Sequence, residues 1–268
     1  MTATRTARPT AQAHGVEQLA VCCLGPMACF ADGTEVPLRP GRARSLLQFL
    51  VVHRAARVPR EAVMEAFWPG ADPARARNSL NVAACELRRA LRGALPDDVP
   101  LIERAGDGCR LTPALPWWVD AEELVRCVAA GDAAARAGDR DEAVRRYDEA
   151  ADLYRGDLFS DDPYSDWIAP HRWTLQDAAL RALDWLRSAH LAGGNTPAAS
   201  EAARRVLEIA PDNEEAHRTL MLCHARLDRR SLALRQYRAL ADRLARLRVA
   251  PSPGSADLYE RIRRGEAV

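Results

Sequence analysis

The segment ARARNSLNVAACELRRALRG, residues 74–93, combines five arginines and one acidic residue with the spacing of an amphipathic helix. On a helical wheel, Leu80, Ala84, Leu87 and Leu91 share one narrow arc, which predicts that this face packs into a core. The opposite face offers amide, hydroxyl, methyl and guanidinium groups. Such groups read base edges and hold phosphates in protein–DNA complexes, so the segment has the chemistry of a DNA recognition helix.

The side chains opposite the leucines are assigned to a DNA groove by their chemical types. Asparagine binds adenine in a bidentate manner, arginine does the same with guanine, and valine contacts the thymine methyl group. The base-facing set is Asn78, Asn81, Val82, Cys85 and Arg89. Arginines on the shoulders of the helix would contact phosphates, which position a helix without reading sequence. This second set is Arg75, Arg77, Arg88 and Arg92.

An ordinary solvated surface helix is the competing interpretation of the same segment. Such helices more often interleave acidic and basic residues as i,i+4 pairs. Arginine enrichment alone is a weak signal, because all 38 basic residues of this chain are arginine. The DNA interpretation therefore needs support from a second element.

Residues 101–112 supply that second element. Two short strand-like pieces lie on either side of AGDG, which predicts a β-hairpin. Arg104 and Arg110 flank its tip, where a hairpin inserts a guanidinium group into the minor groove. We therefore predict a wing at 101–112, with Arg104 and Arg110 as its contacts to DNA.

The upstream residues predict the elements that must hold this helix and hairpin. Residues 19–38 alternate loosely around a DG turn, which predicts a small antiparallel sheet. GRARSLLQFLVVH and PREAVMEAFWPG then predict two helices, the second ended by its Pro-Gly pair. Asp72 and Pro73 are typical of the N-cap and first residue of the third helix. Strands, three helices and a terminal hairpin follow one another as in a winged helix-turn-helix domain.

The chain is almost wholly helical in pattern from Trp117 onward, and three of its segments superpose. Each segment places a small residue at the point where paired helices touch, namely Ala143, Ala199 and Ala233. The last two are 34 residues apart, which is the tetratricopeptide period. The pattern predicts an all-α, tetratricopeptide-like domain, in which the aromatic-rich segment 155–177 adds about one extra half-repeat between the first two aligned segments. An irregular helical bundle is the alternative.

Charge divides the chain in the same place. Residues 1–116 carry 15 arginines against 11 acidic residues, whereas residues 117–268 carry 23 against 26. This asymmetry favours a basic module joined to an acidic one. We expect a disordered leader at 1–18, a winged-helix DNA-binding domain at 19–116 and a helical activation domain at 117–268.

Cysteine usage and hydropathy predict a cytoplasmic protein. The chain has seven cysteines and no C-x-x-C pair, which fits a reducing compartment. Cys22, Cys23 and Cys29 would be near enough to share a metal, but buried strand positions explain them better. The longest apolar stretch, LLQFLVV, is too short to span a bilayer, and the leader has no apolar signal-peptide core.

No group of residues in the sequence predicts an enzyme. We find no nucleophile–base pairing, metal cluster or G-x-x-x-x-G-K-[ST] phosphate loop. His217 and His224 share a helix face, but no further ligand stands at an established spacing, so packing or surface roles are preferred. We therefore expect no catalysis, no cofactor and no metal.

Several long stretches, in order, make the chain resemble the Streptomyces antibiotic regulatory proteins. These stretches are LGPMACFADGTEVPL, VPREAVMEAFWPGADPARARNSLNVAACELRRAL, RGDLFSDDPYSDWIAPHR, NEEAHRTLMLCHARLDRRSLALRQYRAL and RVAPSPGSADLYERI. The resemblance covers roughly residues 19–265. It implies an OmpR-type winged helix joined to a bacterial transcriptional activation domain, with the recognition helix at 74–92.

What the resemblance implies about function is activation of a secondary-metabolite gene cluster. Members bind direct repeats near the promoter −35 region and engage RNA polymerase with its principal sigma factor. Direct repeats imply two protomers arranged head to tail on the DNA. Family wings often end in a Gly-Tyr pair, whereas this chain has Gly108-Cys109, which puts the detailed wing–backbone contact in question. The alternative function is a helical-repeat scaffold or ligand sensor whose winged helix no longer binds DNA.

Overall fold

The computed structural model describes residues 19–93, 99–106 and 108–268. The expected leader at 1–18 therefore lies outside the described residues. In chain order the strands and helices are β1 (Leu19–Cys22), β2 (Ala28–Ala31), β3 (Thr34–Val36), α1 (Arg42–Val52), β4 (Val58–Pro59), α2 (Arg60–Phe67), α3 (Pro73–Ala90), β5 (Ile102–Ala105), β6 (Gly108–Leu111), β7 (Trp117–Val119), α4 (Asp120–Ala137), α5 (Arg140–Leu153), a short 3-10 helix (Asp166–Ile168), α6 (Ala169–Ala192), α7 (Thr196–Ile209), α8 (Glu214–Arg226), α9 (Arg230–Arg246) and α10 (Pro253–Arg264).

The chain forms two compact units that are each built from two stretches of sequence. Unit 1 contains Met1–Glu123 and Tyr154–Trp173. Unit 2 contains Leu124–Leu153 and Thr174–Val268. Unit 1 therefore includes residues from both sides of the predicted boundary between 116 and 117. Unit 2 is built from two separate parts of the helical half.

Unit 1 opens with a sheet in the order β3-β2-β1-β7. Strands β1, β2 and β3 pair antiparallel, which confirms the sheet predicted at 19–38. Asp32 and Gly33 both have positive φ, 48° and 77°, as a tight hairpin turn requires. Strand β7 was not predicted. It pairs parallel to β1, with Leu19 opposite Trp117.

The three helices of unit 1 follow the predicted spacing of apolar residues. In α1, Leu46 to Val51 are buried, and in α2 the buried residues are Val63 and Phe67. A second sheet, in the order β4-β6-β5, contains the predicted hairpin, with Arg104 opposite Cys109 in its register. These elements confirm the predicted winged helix-turn-helix order.

The segment Tyr154–Trp173 packs into unit 1 through backbone hydrogen bonds and aromatic side chains. The amide of Phe159 donates to the carbonyl of Cys23 at 2.8 Å, and that of Ser160 donates to Gly25 at 3.0 Å. The side chain of Phe159 is fully buried. The ring of Trp167 lies 5.1 Å from that of Phe49, edge to face. The aromatic residues of this segment thus complete the core of unit 1.

Asp120, the first residue of α4, joins several parts of unit 1. Its side chain is fully buried, and its carboxylate accepts hydrogen bonds from the amides of Cys23 (2.8 Å) and Leu24 (3.1 Å). The thiol of Cys23 donates to the same carboxylate at 2.8 Å. Arg155 donates from its guanidinium at 3.2 Å. These donors satisfy both oxygens of the buried carboxylate.

Unit 2 repeats one helix-pairing pattern. The aligned alanines of α5, α7 and α9 are all fully buried, namely Ala143, Ala199 and Ala233. One turn later, Ala203 is also fully buried, and Tyr237 stacks on Tyr259 with ring centroids 4.3 Å apart. The tetratricopeptide-like arrangement is confirmed.

The predicted division into 19–116 and 117–268 remains a prediction, and the compact units follow a different division. Unit 1 extends through β7 to Glu123 and gains Tyr154–Trp173. Hydrogen bonding explains this extension of unit 1. Strand β7 pairs with the edge of β1 that β2 leaves open, and Asp120 accepts a hydrogen bond from Cys23, the residue that follows β1. Within the described ranges, no helix is both long and apolar enough to cross a membrane.

Replacing Asp120 tests its role in stability. Asp120→Ala leaves Arg155 and the amides of Cys23 and Leu24 without their acceptor, so we expect the free energy of unfolding to fall by about 3–5 kcal/mol. Urea denaturation followed by tryptophan fluorescence measures the loss. Asp120→Asn is the control and should lose less, since it keeps one acceptor oxygen. A loss below about 1 kcal/mol, the worth of one ordinary hydrogen bond, would contradict this role.

Candidate nucleic-acid interface

Helix α3 begins where the sequence predicts. Asp72 caps it, because its Oδ1 accepts from the amides of Ala74 at 3.1 Å and Arg75 at 3.0 Å. Pro73 is the first helical residue, where its missing N–H costs nothing. The helix ends at Ala90, two residues before the predicted end, and Gly93 follows with φ of 85°.

One face of α3 forms part of the core of unit 1. Its buried residues are Ala76, Leu80, Ala83, Ala84 and Leu87, and Leu91 beyond its end is also buried. These include every residue of the predicted inward arc. Because successive residues of a helix are rotated by 100°, burying this arc turns the opposite side chains to solvent.

All five predicted base-facing residues lie on the exposed side of α3. Asn78, Asn81, Cys85 and Arg89 are exposed, and Val82 is 50% exposed. We call the five residues the groove face. Their contact with DNA stays a prediction.

The arginines of α3 and its end lack ion-pair partners within the part of the chain that the structure describes. Arg75, Arg77, Arg88, Arg89 and Arg92 are all exposed. Several arginines of unit 2 differ, because they pair with carboxylates one turn away. Arg146 contacts Glu142 at 2.6 Å, and Arg204 contacts Glu201 at 3.2 Å. Five uncompensated guanidinium groups make this face strongly cationic.

The groove face has one polar contact with a side chain of α2 that sequence reasoning missed. Arg60, the first residue of α2, donates from Nη2 to Oδ1 of Asn81 at 3.2 Å. A cation at a helix N-terminus meets the positive end of the helix dipole. That unfavourable placement is a sequence signal that could have drawn attention to Arg60, but its partner on α3 is visible only in the fold.

The structure describes the side chain of one of the two predicted wing arginines, Arg110. Arg110 donates to Oε2 of Glu103 from Nε at 3.0 Å and from Nη2 at 2.8 Å. Hydrogen bonding from Arg110 lowers the pKa of Glu103, so the pair stays charged. The side chain of Arg104, like the tip residue 107, lies outside the described residues. Cys109, in the place of the expected tyrosine, is buried.

The other candidate groups have packing partners. His217 is buried, with Nε2 at 3.1 Å from the Pro211 carbonyl and Nδ1 at 2.8 Å from the Gln236 amide. Burial lowers the pKa of His217. Across residues 19–93, 99–106 and 108–268, no three His, Cys, Asp or Glu side chains are grouped as a metal site requires.

A winged helix with an exposed cationic recognition helix, together with a helical-repeat unit, defines a transcriptional regulator. Residues 119–263 match the family model described as bacterial transcriptional activator domain. Because that match covers more than half of the chain and the fold agrees, the chain belongs to the Streptomyces antibiotic regulatory protein family.

Individual relatives are named as regulators. The chain is 28% identical over 242 residues to the transcriptional regulatory protein MoaR1 of Mycobacterium tuberculosis, covering 90% of this chain and 78% of that protein. It is 31% identical over 249 residues to EmbR of the same organism, covering 91% of this chain and 63% of EmbR. It is 26% identical to the regulatory protein DnrI of Streptomyces peucetius, covering 91% of both chains.

A solved structure supports the fold over almost the whole chain. The structure of Mycobacterium tuberculosis EmbR in complex with a low affinity phosphopeptide has a TM-score of 0.75 and 29% identity. The match covers 94% of this chain and 66% of that one. This chain therefore spans about two thirds of EmbR.

Cysteine reactivity tests the orientation of α3. Cys85 is the exposed thiol, whereas Cys22, Cys23, Cys29, Cys109, Cys127 and Cys223 are buried. Burial also raises the pKa of Cys29 to about 12, which suppresses its reactive thiolate. We expect one of the seven thiols to react rapidly with a thiol-disulfide reagent in the folded protein, and all seven after denaturation.

Cys85→Ser is the matched control, and it should remove the fast phase. A fast phase that persists in Cys85→Ser, or one that corresponds to several thiols, would show that α3 is turned differently.

Proposed function

We propose that this chain is a sequence-specific DNA-binding activator that inserts α3 into the major groove of promoter DNA. One observation carries the proposal: the groove face is exposed, and α3 with its end carries five exposed guanidinium groups that have no carboxylate partner among the described residues. Arg88 and Arg89 lie in the last turn of α3, where the helix dipole favours cations, whereas Arg75 lies in its first turn, where the dipole disfavours them. A polyanionic duplex supplies the missing counter-charge.

The groove face has the residue types for direct readout. Arg89 would bind guanine through O6 and N7, and Val82 would contact a thymine methyl group. Asn78 has no side-chain partner among the described residues, so both its donor and acceptor are available for adenine. The shoulder arginines would hold phosphates on both sides of the groove, namely Arg75, Arg77, Arg88 and Arg92.

At the level of the promoter, we propose activation of a secondary-metabolite gene cluster in the bacterial cytoplasm. Membership of the antibiotic regulatory family supports this role. In this proposal two protomers bind direct repeats head to tail near the −35 region, and the helical unit contacts RNA polymerase with its principal sigma factor. Unit 2 suits such a contact because stacked helical repeats present extended surfaces to protein partners.

Salt dependence separates DNA binding from the scaffold alternative. Four phosphate-contacting arginines predict that log K falls with log salt concentration at a slope of about −3.6 per protomer. Fluorescence anisotropy with a labelled promoter fragment, at several salt concentrations, measures the slope. A slope near zero, or equal affinity for promoter and random DNA, would favour a helical-repeat scaffold or ligand sensor.

Two arginines near the end of α3 distinguish base readout from phosphate contact. Arg89→Ala should weaken binding to the preferred site by about 1–3 kcal/mol and relax the choice of base at one position. Arg92→Ala should weaken binding to all sequences alike and make the salt slope shallower by about 1. Competition with single-base operator variants measures both effects.

Each arginine variant serves as the charge-matched control for the other, since both remove one exposed guanidinium group. If both bind every operator variant as the unmodified protein does, the groove face does not contact DNA.

A further inference from the structure

Arg60 reaches from α2 to α3 and contacts one residue of the groove face. Its Nη2 lies 3.2 Å from Oδ1 of Asn81. A guanidinium group has only donors, so the atom of Asn81 that faces it must be the carbonyl oxygen. The assignment of oxygen and nitrogen in the Asn81 amide therefore follows from chemistry.

Arg60 is held in place by apolar surface. Arg60, Asn81 and Arg88 line a small cleft together with buried residues from two helices and the hairpin, namely Leu46, Leu50, Leu80, Ala84, Ile102 and Cys109. Arginine commonly lays its alkyl stem on apolar surface while its charged end stays in water. No carboxylate lines this cleft, so Asn81 is the acceptor among the described residues for the guanidinium of Arg60.

This contact changes what Asn81 offers to DNA. Bidentate recognition of adenine needs an acceptor for the N6 amino group and a donor for N7. With one lone pair of its oxygen taken by Arg60, Asn81 offers two N–H donors and one remaining lone pair. Guanine, which shows O6 and N7 as acceptors in the major groove, matches the two donors, whereas adenine must share the oxygen with Arg60 for its amino group.

We infer that Arg60 is a positioning residue that makes Asn81 a donor toward guanine, and that Asn78 is the asparagine that reads adenine. The inference rests on the proposed function, because it assumes that the groove face contacts DNA. It goes further by separating the base preferences of two asparagines of the same helix.

Substitution of Arg60 by a side chain without donors tests the inference. Arg60→Met keeps an apolar stem over the cleft and frees Oδ1 of Asn81. We expect the preference for guanine over adenine to fall about 2- to 10-fold at one operator position, the worth of one hydrogen bond. Equilibrium binding to a library of single-base operator variants measures every position at once.

Two further variants separate this effect from general loss of charge or stability. Arg57→Met removes a nearby exposed arginine for which the structure shows no contact to Asn81, so it should leave the base preference unchanged. Arg60→Lys keeps a charged donor and should retain the guanine preference. In an Asn81→Ala background, Arg60→Met should no longer alter any base preference. Thermal unfolding of each variant checks that the fold is retained.

The outcomes distinguish this inference from the proposed function itself. If the unmodified protein binds its operator specifically and Arg60→Met leaves all base preferences unchanged, DNA binding stands and the role of Arg60 is wrong. An equal shift in the Asn81→Ala background would also overturn it. If the unmodified protein shows no preference over random DNA, the proposed function fails and the inference fails with it.

Discussion

Burial of the apolar arc of α3 is the constraint on which the groove face depends. Leu80, Leu87 and Leu91 are each buried, and burying a leucine contributes roughly 1.5–3 kcal/mol. The exposed contact of Arg60 with Asn81 contributes on the order of 0.5–1.5 kcal/mol at most. Core packing therefore decides how α3 is rotated, and the polar contacts only refine the side chains that this rotation exposes.

The arginines of α3 and its end make its exposed side cationic. Arg88 lies in the last turn of α3 and Arg92 lies just beyond its end, and both are exposed. In unit 2 several arginines are placed one turn from carboxylates, as Arg146 is from Glu142. The arginines of α3 and its end have no such partner among the described residues, and a polyanion would compensate them.

Unit 1 extends beyond the elements of a simple winged helix. Asp120 binds the end of β1, and Phe159 fills the core from a segment far along the chain. The activator-domain match, 119–263, includes both residues. Unit 1 and the activator-domain match therefore share sequence. Removing the activator domain at residue 116 would take β7, Asp120 and Trp167 away from α3.

The sequence alone determined the features that repeat within one element. Apolar spacing predicted α3 and its buried arc, the DG turn predicted the first hairpin, and the aligned alanines predicted the helical repeats. The tertiary structure decided which distant residues meet: β7 beside β1, Tyr154–Trp173 within unit 1, and Arg60 on Asn81. Periodicity reports only which side of an element is buried. Contacts between distant residues depend on how elements pack and on closing long loops, which no local pattern records.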